Sequence, residues 1–219
     1  MFIGHFALGF AAKRVVPRVS LGMLFLAAQL ADVLWPAFVL FGIEQVRIDP
    51  GNTAFTPLDF VSYPWSHSLL LLAGWGILLG GVYRGIVGGR RSFLVLSALV
   101  VSHWVLDWVS HRPDMPLYPG GARVGLALWN HVPATIAVET SLYIIGVAVY
   151  MRATQPRDGT GRWAPLSLAA TLLLIYTANV LGGPPPSVTA VVVAGMAGFV
   201  LLTSWAWWAD RHREPRASR

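Results

Sequence analysis

Long apolar runs are the feature that most restricts what this chain can fold into. A helix needs about 20 consecutive apolar residues to cross a bilayer, and several segments reach that length. Charged residues make up only 12% of the sequence and the mean hydropathy is +0.59, whereas soluble domains contain about a quarter charged residues. These properties exclude an ordinary soluble domain and predict an all-α, polytopic membrane helix bundle.

Glycine, proline and polar residues divide the apolar sequence into six predicted spanning helices. Their approximate limits are 19–43, 66–87, 92–110, 124–151, 163–182 and 187–209. Residues 2–12 are apolar but too short to span, and we expect a helix that is partly inserted or interfacial. We interpret residues 1–219 as a single membrane domain. Its expected parts are a metal-site core (1–152), two additional transmembrane helices (163–209) and a cytoplasmic tail (210–219).

Basic residues are distributed unequally between the two sides of this predicted bundle. If six helices alternate, thirteen arginine and lysine residues fall on one side and only Arg47, Arg112 and Arg123 on the other. Loops rich in basic residues stay in the cytoplasm. We therefore expect residues 44–65 and 111–123 to lie on the extracytoplasmic side of the membrane and the C-terminus to lie in the cytoplasm. The net charge of +6 is then a topology signal, and no nucleic-acid partner is expected.

Two further features limit the classes of protein and site. The chain has no cysteine, which excludes disulfides and thiolate metal ligands. The opening segment, MFIGHFALGFAAKRVVP, places its apolar part before its positive charges, the reverse of a secretory signal peptide. We expect this segment to remain in the mature protein.

Ionisable residues inside the predicted spans indicate a functional site. Asp32, Asp107 and Glu139 lie in spans, where an aspartate at the helix centre costs about 2.5–3.5 kcal/mol, and no span interior contains lysine or arginine. Five of the six histidines lie in or beside apolar segments: His5, His67, His103, His111 and His131. Imidazole and carboxylate groups are ligands of zinc, iron and manganese. We therefore expect one or two divalent metal ions, with zinc as the first choice.

The segment VSHWVLDWVSH, residues 101–111, carries three of these groups at intervals of four residues. Residues four apart lie on one face of a helix, so His103, Asp107 and His111 are expected to form one stripe. The predicted topology places His67, this stripe and His131 in the outer half of the bundle, where they could meet His5, Asp32 and Glu139. The HxxxD spacing alone is a weak signal.

Simpler explanations exist for several of these residues. His111 stands at a predicted helix end beside Arg112 and could be an ordinary hydrogen-bonded histidine. His131, which follows Asn130, could cap its helix before Pro133. Asp114 could stabilise a turn. Most of the tryptophans fit an interfacial belt.

The chain also resembles a known family at these positions. GHFALGF near the start, an aspartate in the first span, WSHSLLL, SHWVLD and a later intramembrane glutamate are similar to the YdjM-type family. Those bacterial inner-membrane proteins are regarded as metal-dependent hydrolases and are similar to the zinc-dependent phospholipase C and nuclease superfamily. The resemblance covers residues 1 to about 150 and implies a ligand set listed by position: His5, Asp32, His67, His103, Asp107 and Glu139.

The chain departs from the family pattern at two places. Many members follow the first-span aspartate with a second aspartate and a histidine, where this chain has ADVLWP, and Trp35 cannot bind a metal. His131 stands where a small residue is expected. A full complement of two or three metal ions is therefore not implied.

Together these features predict a membrane-embedded, metal-dependent hydrolase in the bacterial inner membrane, with its site opening to the extracytoplasmic side. Membrane lipids would surround it, and the substrate would be a phosphoester of a lipid or cell-envelope precursor. The alternatives are a metal-ion or proton transporter, an amidase, and a non-catalytic protein with a structural metal. The oligomeric state is left open.

Individual roles follow from the chemistry of the side chains. Asp107 could bridge two ions, and Glu139 or Asp32 could act as the general base. Ser66, Ser102 and Asn130 could hold imidazoles in position as hydrogen-bond partners. Arg112 and Arg123 could grip a phosphate.

Overall fold

The computed structural model describes residues 1–216, so the last three residues of the predicted tail lie outside the described part of the chain. Nine α-helices are found in this part: α1 (Ile3–Ala12), α2 (Leu21–Ala28), α3 (Leu30–Leu40), α4 (Pro64–His67), α5 (Leu69–Val87), α6 (Arg90–Ser110), α7 (Val132–Ala153), α8 (Gly159–Leu181) and α9 (Val188–Arg211). Helices α5 to α9 are each long and apolar enough to cross a membrane, and α2 with α3 could form a sixth span. The predicted all-α membrane bundle is confirmed.

Two predicted spans differ from the structure. The segment predicted as one helix over 19–43 is two helices, α2 and α3, bent by 58° at Gln29. The span predicted to start at residue 124 starts at Val132, because the preceding residues form a short strand and a 3₁₀ helix (Leu128–Asn130). Pro133 lies in the first turn of α7, where its missing N–H would have had no helical partner.

Helix α1 is inserted into the bundle and does not lie on its surface. Eight of its ten residues are buried, and it packs against α2, α6 and α7. Ten helical residues extend about 15 Å, half the thickness of a bilayer core. Gly146 of α7 touches the backbone of Ala7, which allows the two helices to approach closely.

Short hairpins close the two ends of the bundle. At the end here called the loop end, β1 (Gln45–Ile48) pairs with β2 (Leu58–Ser62), and β3 (Met115–Pro116) pairs with β4 (Arg123–Val124). At the opposite end, here called the tail end, β5 (Thr154–Pro156) pairs with β6 (Arg213–Pro215). Helix α4 and the 3₁₀ helix belong to the loop end, so most of the irregular backbone gathers there.

Helix α9 is part of the same bundle as the N-terminal helices. It packs against α2, α3 and α8. At the tail end, Asp210 of α9 forms a buried ion pair with Lys13 and accepts hydrogen bonds from the Tyr150 hydroxyl (3.0 Å) and the Leu21 N–H (3.1 Å). The last helices therefore complete the packing of the first ones.

Candidate metal centre

Five ionisable residues from four helices meet at the loop end. We call them the His/Asp cluster: His5 of α1, Asp32 of α3, His67 of α4, and His103 and Asp107 of α6. They form two groups of three that share His103, and within each group one ligand atom per residue lies within 4.8 Å of the others. Ligand atoms about 2.0–2.3 Å from one ion lie up to about 4.6 Å apart, so either group fits a metal.

Asp107 is the centre of the cluster. Its Oδ1 lies 3.1 Å from His5 Nε2, and its Oδ2 lies 3.1 Å from His103 Nε2 and 3.9 Å from His67 Nε2. The His5 and His103 rings stack in parallel at 3.7 Å. The α-amino group of Met1 also donates to Oδ1. Both carboxylate oxygens thus face nitrogen atoms, Oδ1 those of His5 and Met1 and Oδ2 those of His103 and His67.

The bend between α2 and α3 serves the cluster in two ways. Asp32 lies in the first turn after the bend, with its oxygens 3.5 Å from His67 Nε2 and 3.8 Å from His103 Nε2. The last carbonyl groups of a helix have no partner within that helix. Ala28, the last residue of α2, directs its carbonyl oxygen to His103 Nδ1 at 2.9 Å. The bend therefore positions one member of the cluster and orients another.

A buried glutamate from the preceding loop orients His67. His67 Nδ1 lies 2.7 Å from Ser66 Oγ, and Ser66 Oγ donates to Glu44 Oε2 at 2.6 Å. Glu44 Oε1 also accepts the backbone N–H groups of Trp65 (2.8 Å) and Ser66 (2.9 Å). The sequence analysis missed Glu44, because it stands in a loop 22 positions before Ser66 and no local pattern marks it.

His111 lies beside the cluster with a carboxylate partner of its own. It is the residue after the end of α6, so the predicted helical stripe ends one residue early, yet its Nε2 is still 4.0 Å from Asp107 Oδ2. Its Nδ1 lies 3.0 Å from Asp114 Oδ1, which also accepts from the Tyr63 hydroxyl at 2.8 Å. The sequence analysis gave Asp114 only a turn role and did not single out Tyr63.

Charge and burial shift the pKa of both partners of His111. Burial raises the pKa of Asp114, but hydrogen bonds from His111, Tyr63 and Arg112 outweigh it and hold the pKa below its usual range. Burial and the neighbouring Asp114 carboxylate raise the pKa of the Tyr63 hydroxyl well above its usual value. Asp114 therefore accepts hydrogen bonds as a carboxylate, and Tyr63 donates one as a neutral phenol.

Hydrogen bonding determines which nitrogen of each neutral imidazole carries the proton. The Ala28 carbonyl can only accept a hydrogen bond. Ser66 Oγ already donates its hydrogen bond to Glu44, so it can only accept from His67. His103 and His67 therefore both donate from Nδ1. Their Nε2 atoms then present lone pairs to the carboxylates. His103 Nε2 makes no hydrogen bond with any described residue, although Asp107 Oδ2 is 3.1 Å away. The two atoms converge on a common point, as ligands of one cation do.

The cluster is closed on most sides and open at Asp32. The Asp32 side chain is 27% exposed, whereas those of His5, His67, His103 and Asp107 are at most 4% exposed. Among residues 1–216, no lysine or arginine contacts Asp32 or Asp107. The residues present fit a divalent ion that is bound by nitrogen and oxygen and reached from the Asp32 side.

Four other predicted residues are not brought into the cluster. Glu139 is fully buried, and its Oε2 accepts the N–H groups of Phe2 (2.8 Å) and Gly4 (3.3 Å) at the start of α1. His131 and Asn130 are exposed at the start of α7. Ser102 donates to the Leu99 carbonyl of its own helix at 2.7 Å.

The two arginines predicted to grip a phosphate have different surroundings. Arg112 bonds to Asp59 (2.5 Å), to Asp114 (3.0 Å) and to Asn52. Arg123 pairs with no carboxylate of the described residues, and it lines a pocket of about 290 Å³ together with Tyr63, Tyr118 and Gly121. Of these two arginines, Arg123 is the one whose guanidinium group has no carboxylate partner among residues 1–216 and can meet an anion.

No protein-family model, curated protein or solved structure matches this chain.

Proposed function

We propose that this chain is a membrane-embedded, metal-dependent hydrolase. The observation that carries the proposal is that His103 Nε2 and Asp107 Oδ2 lie 3.1 Å apart without a hydrogen bond, inside a cluster of three imidazoles and two carboxylates in which Asp32 alone is partly exposed. Asp107 Oδ1 is paired with the Met1 ammonium group, but Oδ2 and the His103 Nε2 lone pair are buried facing each other, which is costly unless a cation joins them. The resemblance to the YdjM-type hydrolases at the same positions agrees with this proposal.

His5, His67, His103 and Asp107 would hold the metal, and zinc is the ion that suits this donor set best. A bound zinc ion lowers the pKa of a coordinated water and polarises a scissile ester. Asp107 holds His5 on one oxygen and faces His103 and His67 with the other. Asp32, at the exposed edge, accepts the proton of the attacking water on a carboxylate oxygen.

We propose a phosphoester as the substrate, with Arg123 as its anion-binding group. The pocket beside Arg123 is also lined by Tyr63, whose hydroxyl group lies 3.3 Å from His111 Nδ1 at the edge of the cluster. Arg112 is already committed to two carboxylates, so it would position the loop instead. A membrane-exposed helix bundle suits a lipid or a lipid-linked envelope precursor.

The apolar interior below the cluster favours hydrolysis over transport. Phe6, Phe10 and Phe25 are fully buried and pack edge to face between His5 and the Lys13–Asp210 pair at the tail end. A conduction path needs polar groups or water along its whole length. We therefore place this chain among enzymes with a site open on one side.

Elemental analysis of detergent-purified protein tests the metal site. We expect near-stoichiometric zinc in the wild type and its loss in His103→Ala and Asp107→Ala, with monodispersity verified for each. His212→Ala is the matched control, because His212 lies at the tail end against Asp158. If the wild type binds no zinc, manganese or iron even after reconstitution, the hydrolase proposal is wrong. Metal-loaded protein is then screened against phosphodiesters and phosphomonoesters.

We propose a bacterial inner-membrane location, and the unequal distribution of arginines and lysines supports an orientation with the loop end facing outward. The absence of native cysteine makes single-cysteine labelling specific. A membrane-impermeant maleimide should label Ala54→Cys in intact cells and Arg91→Cys only after permeabilisation. The opposite labelling pattern would place the site in the cytoplasm.

A further inference from the structure

Three buried polar atoms beside the His/Asp cluster have no hydrogen-bond partner among the described residues. They are Trp129 Nε1, Tyr176 Oη and Glu139 Oε1, on side chains from residues that are 9%, 3% and 0% exposed. A buried donor or acceptor that loses its water and gains no partner destabilises the fold. Such groups in a native structure therefore point to a missing partner.

These three residues come from neighbouring elements. The Phe55 ring of the β1–β2 loop packs against both Trp129 (6.4 Å between centroids) and Tyr176 (6.1 Å). Glu139 lies on the same face of α7 as Tyr143, whose hydroxyl donates to the Ala169 carbonyl of α8 at 2.9 Å, and Tyr176 lies two turns further along α8 on the face of Ala169. Trp129 also packs on the His111 ring at 4.1 Å. The unpaired atoms thus belong to side chains on the buried faces of α7 and α8 and to the 3₁₀ helix that contacts His111.

We propose that Trp129, Tyr176 and Glu139 form a subsite that binds a hydroxyl group of the substrate. The indole N–H donates, the phenol donates or accepts, and the carboxylate accepts. A hydroxyl group can accept from the indole or the phenol while it donates to Glu139. A second phosphate would meet the Glu139 carboxylate and be repelled. The proposal rests on the proposed function, because it assigns the substrate's phosphate to the metal centre and a hydroxyl-bearing ester group to this subsite.

The proposed subsite implies that α8 takes part in binding the substrate. Tyr176 belongs to one of the two helices that were predicted as additions to a metal-site core. Binding sites commonly retain groups that the free protein leaves unpaired, at a cost in stability. Removing the Tyr176 hydroxyl should then weaken substrate selection and leave the fold intact.

Two p-nitrophenyl phosphodiesters test the subsite, one with a 4-hydroxybutyl group and one with a pentyl group, in which a methyl replaces the hydroxyl. Water attacks phosphorus, and p-nitrophenol leaves and is measured. With zinc-loaded wild type we expect kcat/KM to favour the hydroxyl ester by about tenfold or more. Tyr176→Phe should bring this ratio close to one, while Tyr143→Phe should keep it. Equal rates for both esters in the wild type, or a selectivity loss in Tyr143→Phe as large as in Tyr176→Phe, would overturn the subsite.

If neither ester is hydrolysed, the proposed diesterase chemistry is contradicted but the subsite is not. A measurement of thermal stability then tests the subsite independently. Tyr143 packs in the same apolar cluster as Tyr176, but its hydroxyl donates to the Ala169 carbonyl at 2.9 Å. We expect Tyr143→Phe to lower Tm and Tyr176→Phe to keep it at or above the wild-type value. An equal loss of Tm in both variants would mean that the Tyr176 hydroxyl is already satisfied by structural water, and the subsite would be rejected.

Discussion

Single side chains around the cluster do separate tasks of binding and orientation. His5, His103 and Asp107 face each other directly, whereas Glu44 acts on His67 only through Ser66. Hydrogen bonds to the outer nitrogen of an imidazole fix its orientation and its tautomer. The Glu44–Ser66 pair should therefore affect metal affinity without touching the metal.

Ser66→Ala should weaken zinc binding about 10- to 100-fold, because His67 loses the acceptor that fixes its Nδ1 proton. The dissociation constant is measured by competition with a chromogenic chelator. Ser97→Ala is the matched control, since it also removes a serine hydrogen bond, to the Gly76 carbonyl at 2.9 Å, between α5 and α6. An unchanged zinc affinity in Ser66→Ala would show that His67 is oriented by other contacts.

Asp114 should give the metal-free protein a pH-dependent stability. Its folded-state pKa is held below the unfolded value of about 3.9, so its contribution is complete above about pH 5 and lost as the pH falls through the folded-state pKa. The difference in Tm between wild type and Asp114→Asn should be constant from about pH 8 to pH 5 and narrow below about pH 4.

The control for this pH dependence is Asp49→Asn, which changes an exposed aspartate of the same end of the molecule. Its Tm should differ little from wild type at every pH. If the gap between wild type and Asp114→Asn instead widens in acid, Asp114 does not act as a hydrogen-bonded carboxylate in the folded protein.

At the residue scale, the sequence predicted members of the site only where an ionisable side chain lies in an apolar helix, because burying such a group is costly. Asp32, Asp107 and the histidines stood out because they interrupt apolar helices. Glu44 and Asp114 lie in polar loops, where a carboxylate is ordinary. Their roles depend on Ser66 and Tyr63, which only the folded chain brings close.

At the scale of elements, α1 and the bent α2–α3 pair decide whether the cluster forms. Helix α1 carries His5 into the bundle, and its close contact with α7 depends on Gly146. The bend at Gln29 aims Asp32 at His67 and leaves the Ala28 carbonyl to His103. Both devices position ligands through backbone geometry.

Gly146→Ala should destabilise the protein by about 1–3 kcal/mol, because the added Cβ would overlap the Ala7 carbonyl and push α1 away from α7. Zinc content should fall with it, since His5 moves with α1. Thermal unfolding and elemental analysis measure both effects. Gly81→Ala on α5 has no heavy atom within 4 Å of the new Cβ and should change neither quantity. If Gly146→Ala is destabilised but keeps its full zinc content, His5 is not a ligand of the metal.

The lengths of the apolar segments predicted most of these helices. The prediction failed where contacts between distant residues bend a helix or bury it. The five long helices needed only hydropathy and helix-breaking residues for their prediction. The bend at Gln29 has no glycine or proline at its position to mark it. The burial of α1 depends on the glycine of another helix, so its ten residues alone did not distinguish insertion from an interfacial position.

Across the whole molecule, charged contacts at the tail end connect the first helices to the last. Lys13 and Asp210 are both buried, and Asp210 also holds Tyr150. Arg213 of β6 bonds to Thr154 and to the Gly161 carbonyl. The N-terminal core and helices α8 and α9 should therefore unfold together.

Asp210→Ala should cost about 3–5 kcal/mol, because Lys13 would be left as a buried charge without its partner. Denaturant unfolding in detergent measures the loss. Asp158→Ala removes an exposed partner of His212 at the same end and should have a much smaller effect. Equal stability losses in the two variants would mean that the tail end does not join the two halves.

The amino-acid sequence by itself determined the membrane class, the five long helices and the chemical types at the site, because lipid tolerates neither unpaired backbone nor unpaired charge. Family resemblance suggested the ligand set. Tertiary structure decided which of those residues meet. It placed His5, Asp32, His67, His103 and Asp107 together and Glu139 at the start of α1. Such convergence depends on a bend, a close helix contact and loop hydrogen bonds between residues far apart in the chain, and no periodic pattern records those contacts.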